Sequence, residues 1–239
     1  MVESIPAERM GGPHRRIQKT PHNPHAPKRD RPESPRSQTT RRWCSETIAA
    51  YLQRQKVQVS SGSVHNILKQ NQLITKPYKP RRQRTYIRFQ RAHPDSLWQT
   101  DIKYYRDQYL IAFLDDCSRY LTGIALLREA TTSRILHLLD ATLRLGRTPR
   151  QILSDHGTQF YSEDGGSKFT AYLEAHGIEH IHGSIGKPTT QGKIERFFQT
   201  FMLYYPRFNN PTQFKQYYNH VKPHRSLNFL TPAEVYLNK

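Results

Sequence analysis

From Leu97 onward the apolar residues fall in short runs whose order limits what the chain can fold into. Leu97–Arg106, Tyr109–Asp115 and Leu121–Leu127 read as strands, with Asp107-Gln108 short enough to turn a hairpin. Thr132–Leu145 carries Ile135, Leu138, Leu139 and Leu143 at helical spacing. Arg150–Asp155 is a fourth strand, Phe169–His176 a helix closed by Gly177, and Ile178–His182 a fifth strand. Ile194, Phe197, Phe198 and Phe201 then repeat at i, i+3, i+4 and i+7, the stripe of a helix with one buried face. Strands alternating with helices in this way belong to the α/β class. A further helix over Pro211–His220 follows, and Pro223 and Pro232 punctuate the remaining residues.

Three acids sit at telling places in this order. Asp101 lies inside the first strand. Asp155 is the last residue of the fourth and is followed at once by His156-Gly157, so its side chain leaves the sheet at the end where α/β sites are built. Glu195 sits at the edge of the apolar stripe of its helix, flanked by Lys193 and Arg196. Read alone, that trio is an ordinary solvated ion pair. Read with the other two acids, Glu195 completes a cluster of carboxylates that repel one another unless a cation lies between them. Hard divalent ions with oxygen ligands, Mg²⁺ or Mn²⁺, suit such a set. Two of them about 4 Å apart serve phosphoryl transfer. Asp115 and Asp116, which close the second strand in LDDCSR, could join the site. His156 either touches a water or DNA or only orders its turn.

The stretches WQTDI, LSDHGTQF and QGKIERFFQTF resemble the integrase core of retroviral integrases and insertion-sequence transposases, the Asp-Asp-Glu group. DDCSRY (Asp115–Tyr120) and YNHVKPHRSLNFLTPAEVY (Tyr218–Tyr236) extend the resemblance to roughly Leu97–Tyr236. It implies an α/β, ribonuclease-H-like mixed five-stranded sheet flanked by helices. The catalytic core would span residues 94–206, with a helical extension over 207–239. It also implies that Asp101, Asp155 and Glu195 are the catalytic residues and the ligands of two Mg²⁺ or Mn²⁺ ions. The implied activity is metal-dependent cleavage of DNA ends and strand transfer, as in integration, recombination and transposition, by a homo-oligomer on DNA. In that family the Ser-Arg after the acid pair orders the strand ends, which makes Asp115 mainly structural. One departure is the gap of 40 positions from Asp155 to Glu195, longer than the family's usual spacing. Ser162–Ser167 looks like a small loop insertion that accounts for it without moving Glu195.

Charge divides the chain. Residues 1–92 carry 20 Lys+Arg against 5 Asp+Glu, a net +15, whereas 93–239 carry 17 against 14, a net +3. The first part is the half that binds a polyanion, most simply nucleic acid. Residues 1–40 are rich in Pro, Arg and His with almost no core-forming side chains, and read as a disordered basic arm. Residues 41–73 hold two helical patterns: Ile48, Tyr51 and Leu52 share one face, then Ser60 as N-cap precedes SGSVHNILKQ with Val64, Ile67 and Leu68 on another. Two short helices in a basic setting read as a helix-turn-helix module, similar to the specificity module of insertion-sequence transposases. Ser61, Ser63, His65, Asn66 and Lys69 would then face the major groove. The alternative is a plain helical hairpin. Residues 74–93 read as a basic linker with Arg81, Arg82 and Arg84 along the DNA backbone, or as a merely solvated one. Beside the acids, Lys187, Lys193 and Arg196 are the candidate phosphate contacts.

No apolar run near 18 residues and no secretory leader is present, and Cys44 and Cys117 lie in different segments, so a reduced, intracellular setting is expected. The resemblance to insertion-sequence transposases implies that this is the cytoplasm of a prokaryotic cell, in association with the nucleoid. No CxxC accompanies the histidines, which argues against a structural zinc. No phosphate-binding loop of the G-x-x-x-x-G-K-[ST] kind occurs, and transesterification needs none. Two other functions compete: a ribonuclease-H-like nuclease, and a transposase-derived DNA-binding protein that has lost catalysis. The opening, with a basic arm before one helical module, also fits a truncated or internally initiated copy.

Overall fold

A computed structural model of the chain describes residues 43–74, 90–162, 166–183 and 192–238. Strand pairing begins with the hairpin of β1 (Trp98–Tyr105) and β2 (Gln108–Asp115), in antiparallel register from Trp98 opposite Asp115 to Tyr105 opposite Gln108. Gln108 is therefore already in the ladder. The turn is Arg106-Asp107, one residue earlier than the sequence pattern implies, with Arg106 in the left-handed region at φ 48°. β3 (Leu121–Leu127) extends the meander, and β4 (Gln151–Ser154) and β5 (Glu179–His182) join in parallel on the other side of β1. The result is a mixed five-stranded sheet in the order β3-β2-β1-β4-β5. β4 stops at Ser154, so Asp155 stands just beyond the strand rather than as its last residue.

The pleat sorts side chains onto two faces. Trp98, Ile111, Phe113 and Ile152 look to one side, where α3 (Thr132–Leu143) and α4 (Lys168–Ala175) supply Ile135, Leu139, Phe169 and Leu173. Gly123 of β3 has no room for a side chain, because a Cβ there would come within 2.5 Å of Thr142 Oγ1. That close approach seats α3 on the sheet. Leu110, Ala112, Leu114 and Leu121 look to the other side, against α5 (Gly192–Tyr204) with Ile194, Phe197, Phe198 and Phe201. The apolar stripe of α5 is thus the buried face its spacing predicts. α4 is capped at its start by Ser167, whose hydroxyl accepts from the Phe169 and Thr170 amides, and is followed by Gly177 at φ 68°.

The helix expected over Pro211–His220 is shorter. α6 (Pro211–Gln216) gives way to a widened π turn over Tyr217–Val221. There the buried Asn219 side chain both accepts from the Leu121 amide (2.9 Å) and donates to the Leu121 carbonyl (3.0 Å). α7 (Pro232–Leu237) begins with a reciprocal cap between Thr231 and Glu234. Thr231→Ala is expected to cost about 1 kcal/mol. A thermal melt should show it as a drop of about 2–4 °C.

α1 (Ser45–Arg54) and α2 (Ser61–Gln70) precede the sheet, and Ser60 caps α2 by accepting from the Ser63 amide at 3.0 Å, as expected. Trp43, Ile48 and Tyr51 pack with the α5 core, and Arg54 pairs with Glu234 of α7 and donates to the Phe229 carbonyl. The apolar face read for α2 is only partly buried: Val64 is inside, but Ile67 is 54% exposed. Two helices alone do not offer α2 a third surface to bury it.

Candidate active site

Asp101 sits mid-strand in β1, opposite Ala112, on the sheet face that carries α5. Its Oδ1 accepts from the amide of its own neighbour Ile102 at 2.7 Å. Burial pushes its carboxyl up to about 7, and the negative charges of Asp155 and Glu195 add to that rise. The charges of Asp155, just beyond β4, and of Glu195, in the first turn of α5, thus both reach the Asp101 carboxyl in β1.

Asp155 leaves β4 in a tight turn in which its Oδ1 accepts from the Gly157 amide at 3.0 Å. A Cβ at position 157 would lie 3.0 Å from that same oxygen, so the glycine permits the approach. Glu195 is exposed and makes no ion pair among the described residues, and Arg196 donates to Gln199 instead. The solvated Lys193–Glu195–Arg196 trio does not form. Among the described residues no group of three or more His, Cys, Asp or Glu side chains is drawn together as a ready metal cluster. The chemistry of the acid set nonetheless fits a divalent ion: three hard oxygen donors, one of them raised first by burial and then by the charges of the other two, are what such an ion relieves.

Lys193 departs from its expected role. Its ammonium lies 2.5 Å from Asp116 Oδ1, with only 16% of the side chain exposed, so it is spent on a carboxylate rather than offered to a phosphate. Burial and the nearby Arg119 hold it down to about 8. Asp115 and Asp116 are both fully buried. Asp115 accepts from the Ser118 amide and hydroxyl and from the Asp95 amide, the structural part expected of it. His156 is exposed, with its ring 5.2 Å from that of Tyr161 and 5.5 Å from that of His182.

A relay behind Asp155 has no counterpart in the sequence reading. His180 of β5 stands between Thr170 Oγ1 and Ser154 Oγ, 2.8 Å from each. The Ser154 hydroxyl donates to the Asp155 carbonyl at 3.0 Å. Ser154 must then accept from His180 Nε2–H, which leaves Nδ1 to accept from Thr170. Burial and the neighbouring His182 push His180 down to about 4, so the ring is neutral at pH 7 and this proton arrangement holds. Its only signal in the sequence is the alternation His180-Ile181-His182, which puts two histidines on one strand face.

On α2, Ser61, Ser63, His65, Asn66 and Lys69 are all exposed, although the Ser63 hydroxyl lies 2.9 Å from Ser60 Oγ. Arg81, Arg82, Arg84 and Lys187 lie outside the described residues. No helix among those residues is long and apolar enough to cross a membrane.

Two family models, both described as integrase core domain, match residues 91–188 and 176–232 and together take in all three acids. Residues 91–232 are an integrase core domain. The insertion element IS476 uncharacterized 39.2 kDa protein of Xanthomonas euvesicatoria is 28% identical over 160 residues, which is 61% of this chain and 45% of that protein. The chain thus spans less than half the length of that relative. Among solved structures, the simian T-cell lymphotropic virus intasome in complex with the PP2A regulatory subunit B56 gamma aligns at a TM-score of 0.52 and 16% identity. That alignment covers 80% of this chain and 73% of the viral one. The HTLV-2 integrase catalytic core domain, solved in complex with magnesium, aligns at 0.46 and 18% identity over 60% of this chain and 96% of that one. The integrase core here has the ribonuclease-H-like sheet order with two helices placed before it.

Proposed function

We propose that this integrase core cuts DNA ends and joins them to target DNA, with Asp101, Asp155 and Glu195 as its metal-holding catalytic acids. The observation that carries the reading is the Asp101 carboxyl, raised to about 7 by burial and by the charges of Asp155 and Glu195. An acid placed only for stability is not buried where two further carboxylate charges oppose its ionisation. When bound, divalent ions would supply activation of the attacking oxygen and stabilisation of the leaving one. The chain's own residues do the rest. Asp101 is fixed by its Ile102 amide bond, and Asp155 is fixed in its turn by Gly157 and from behind by Ser154 and His180. Among the described residues Glu195 has no cationic partner, so its charge remains available to the site.

DNA enters this proposal through the basic residues. Arg196, exposed beside Glu195, is a phosphate contact, as are Lys187 and Arg81, Arg82 and Arg84. Ser61, Ser63, His65, Asn66 and Lys69 offer α2 to the major groove. Assembly of several copies on DNA is part of the same proposal.

The test is incubation of the full chain with candidate element-end DNA and Mg²⁺, followed by separation of nicked and joined products. Products that require Mg²⁺ are the expected result. Intact DNA binding with no product at any Mg²⁺ concentration would instead mark a DNA-binding protein without catalysis.

A further inference from the structure

Glu195 has no bond to either other acid, so something must set where the start of α5 lies relative to β1. The contacts there converge on one side chain. Gln99 is two residues before Asp101 in β1 and therefore on the same sheet face, and it is 1% exposed. Its Oε1 accepts from the Ile194 amide at 3.3 Å. Ile194 is the third residue of α5, and its amide is among those a helix start leaves without an intrahelical partner. The partner that usually comes from the helix's own N-cap comes here from a strand. The other end of the Gln99 carboxamide is fixed as well. Its Nε2 donates to Asp116 Oδ1 at 2.8 Å, and Asp116 also accepts from the Arg91 amide at 2.7 Å and from Lys193, the second residue of α5. The first turn of α5 is thus docked at two consecutive residues, Lys193 and Ile194, immediately before Glu195.

We infer that Gln99 is a positioning residue that holds Glu195 in register with Asp101, so that the two acids can share a divalent ion. The inference rests on the catalytic reading of Glu195. Gln99 touches neither DNA nor metal, and it acts by fixing the axial position of α5 over β1. The same carboxamide could not do this from position 98 or 100, because those side chains leave the opposite face of the sheet. Gln99 is also neutral, so it spans the gap to Asp116 without adding a charge beside the three acids. A side chain that merely filled space would need neither of its two bonds.

Gln99→Met keeps length and packing but makes neither bond. Mn²⁺ affinity, measured by calorimetry without DNA, is expected to weaken by about 10–100-fold, the usual effect of losing a partner that orients a ligand. With end DNA, kcat for strand transfer should fall by a similar factor while KM for DNA stays within about twofold, and excess Mg²⁺ should restore part of the rate. Unchanged Mn²⁺ affinity and kcat in a folded Gln99→Met protein would overturn the inference. Hydrogen exchange of the wild-type Ile194 amide gives a readout that needs no variant. Protection is expected, and exchange as fast as a free amide would overturn the inference too. Glu195→Gln run in the same assays separates the two claims. If Glu195→Gln is as active as wild type, the catalytic reading fails; if it is dead while Gln99→Met matches wild type, only the positioning role fails.

Discussion

Glu195→Gln should bind end DNA as wild type does and lose strand transfer by about 10³-fold or more, the effect of removing one contact worth about 4 kcal/mol in the transition state. Glutamine keeps the length of the side chain and a polar head but not the charge. Among the described residues that charge has no ion-pair partner, and its place in the first turn of α5 is worth at most about 1 kcal/mol. Glu195 is exposed, forms no ion pair among the described residues, and lies at the edge of a stripe whose buried members are Ile194, Phe197, Phe198 and Phe201. Stability should therefore change by less than about 1 kcal/mol. The paired measurement is end-DNA affinity and strand-transfer rate at one Mg²⁺ and one salt concentration, since DNA affinity is strongly salt-dependent. Equal rates in the two proteins would remove Glu195 from the site.

Asp101→Asn should stabilise the metal-free protein at neutral and higher pH. The Asp101 carboxyl rises from an ordinary 3.8 to about 7 in the fold, first through burial and then through the charges of Asp155 and Glu195. A raised acid favours the fold only while it is protonated there. Its contribution is complete below about 3.8, declines as pH climbs, and is gone above about 7. Metal-free wild type should thus lose about 2–4 kcal/mol across that window. Asp101→Asn carries no proton to lose, and its amide oxygen still accepts from Ile102, so this part of the pH dependence should vanish. At pH 8 without metal it should melt higher than wild type by about 4–16 °C, at about 2–4 °C per kcal/mol. Mg²⁺ should reverse the order by binding the folded wild type alone. Melting curves from pH 4 to 8, with and without Mg²⁺, decide the matter. Identical pH profiles for the two proteins would mean that Asp101 is not under electrostatic strain.

Local signals carried far in this chain because they agree with the tertiary packing. Ser60 ahead of SGSVHNILKQ named a cap that forms, and the i, i+3, i+4, i+7 stripe of α5 is buried at each of its four positions. Ile67 went astray because burial of a helix face depends on what else is present to cover it. Lys193 went astray for a related reason. A lysine two residues from an acid on a helix reads as its exposed neighbour, but its partner Asp116 is 77 positions away in sequence. Gln99 and Ile194 are 95 apart, and His180 and Ser154 are 26 apart. The first contact leaves no trace in local pattern, and the second leaves only the alternation of His180 and His182 along β5. The sequence names the three acids but not the groups that hold them in place.

Where divalent ions sit in the folded protein tests the central claim most directly. Crystals grown with Mn²⁺ and measured at its absorption edge would locate it by anomalous scattering. The account predicts density within about 2–2.5 Å of carboxylate oxygens of Asp101 and of Asp155 or Glu195. Manganese found only elsewhere, or none under conditions that support strand transfer, would contradict it.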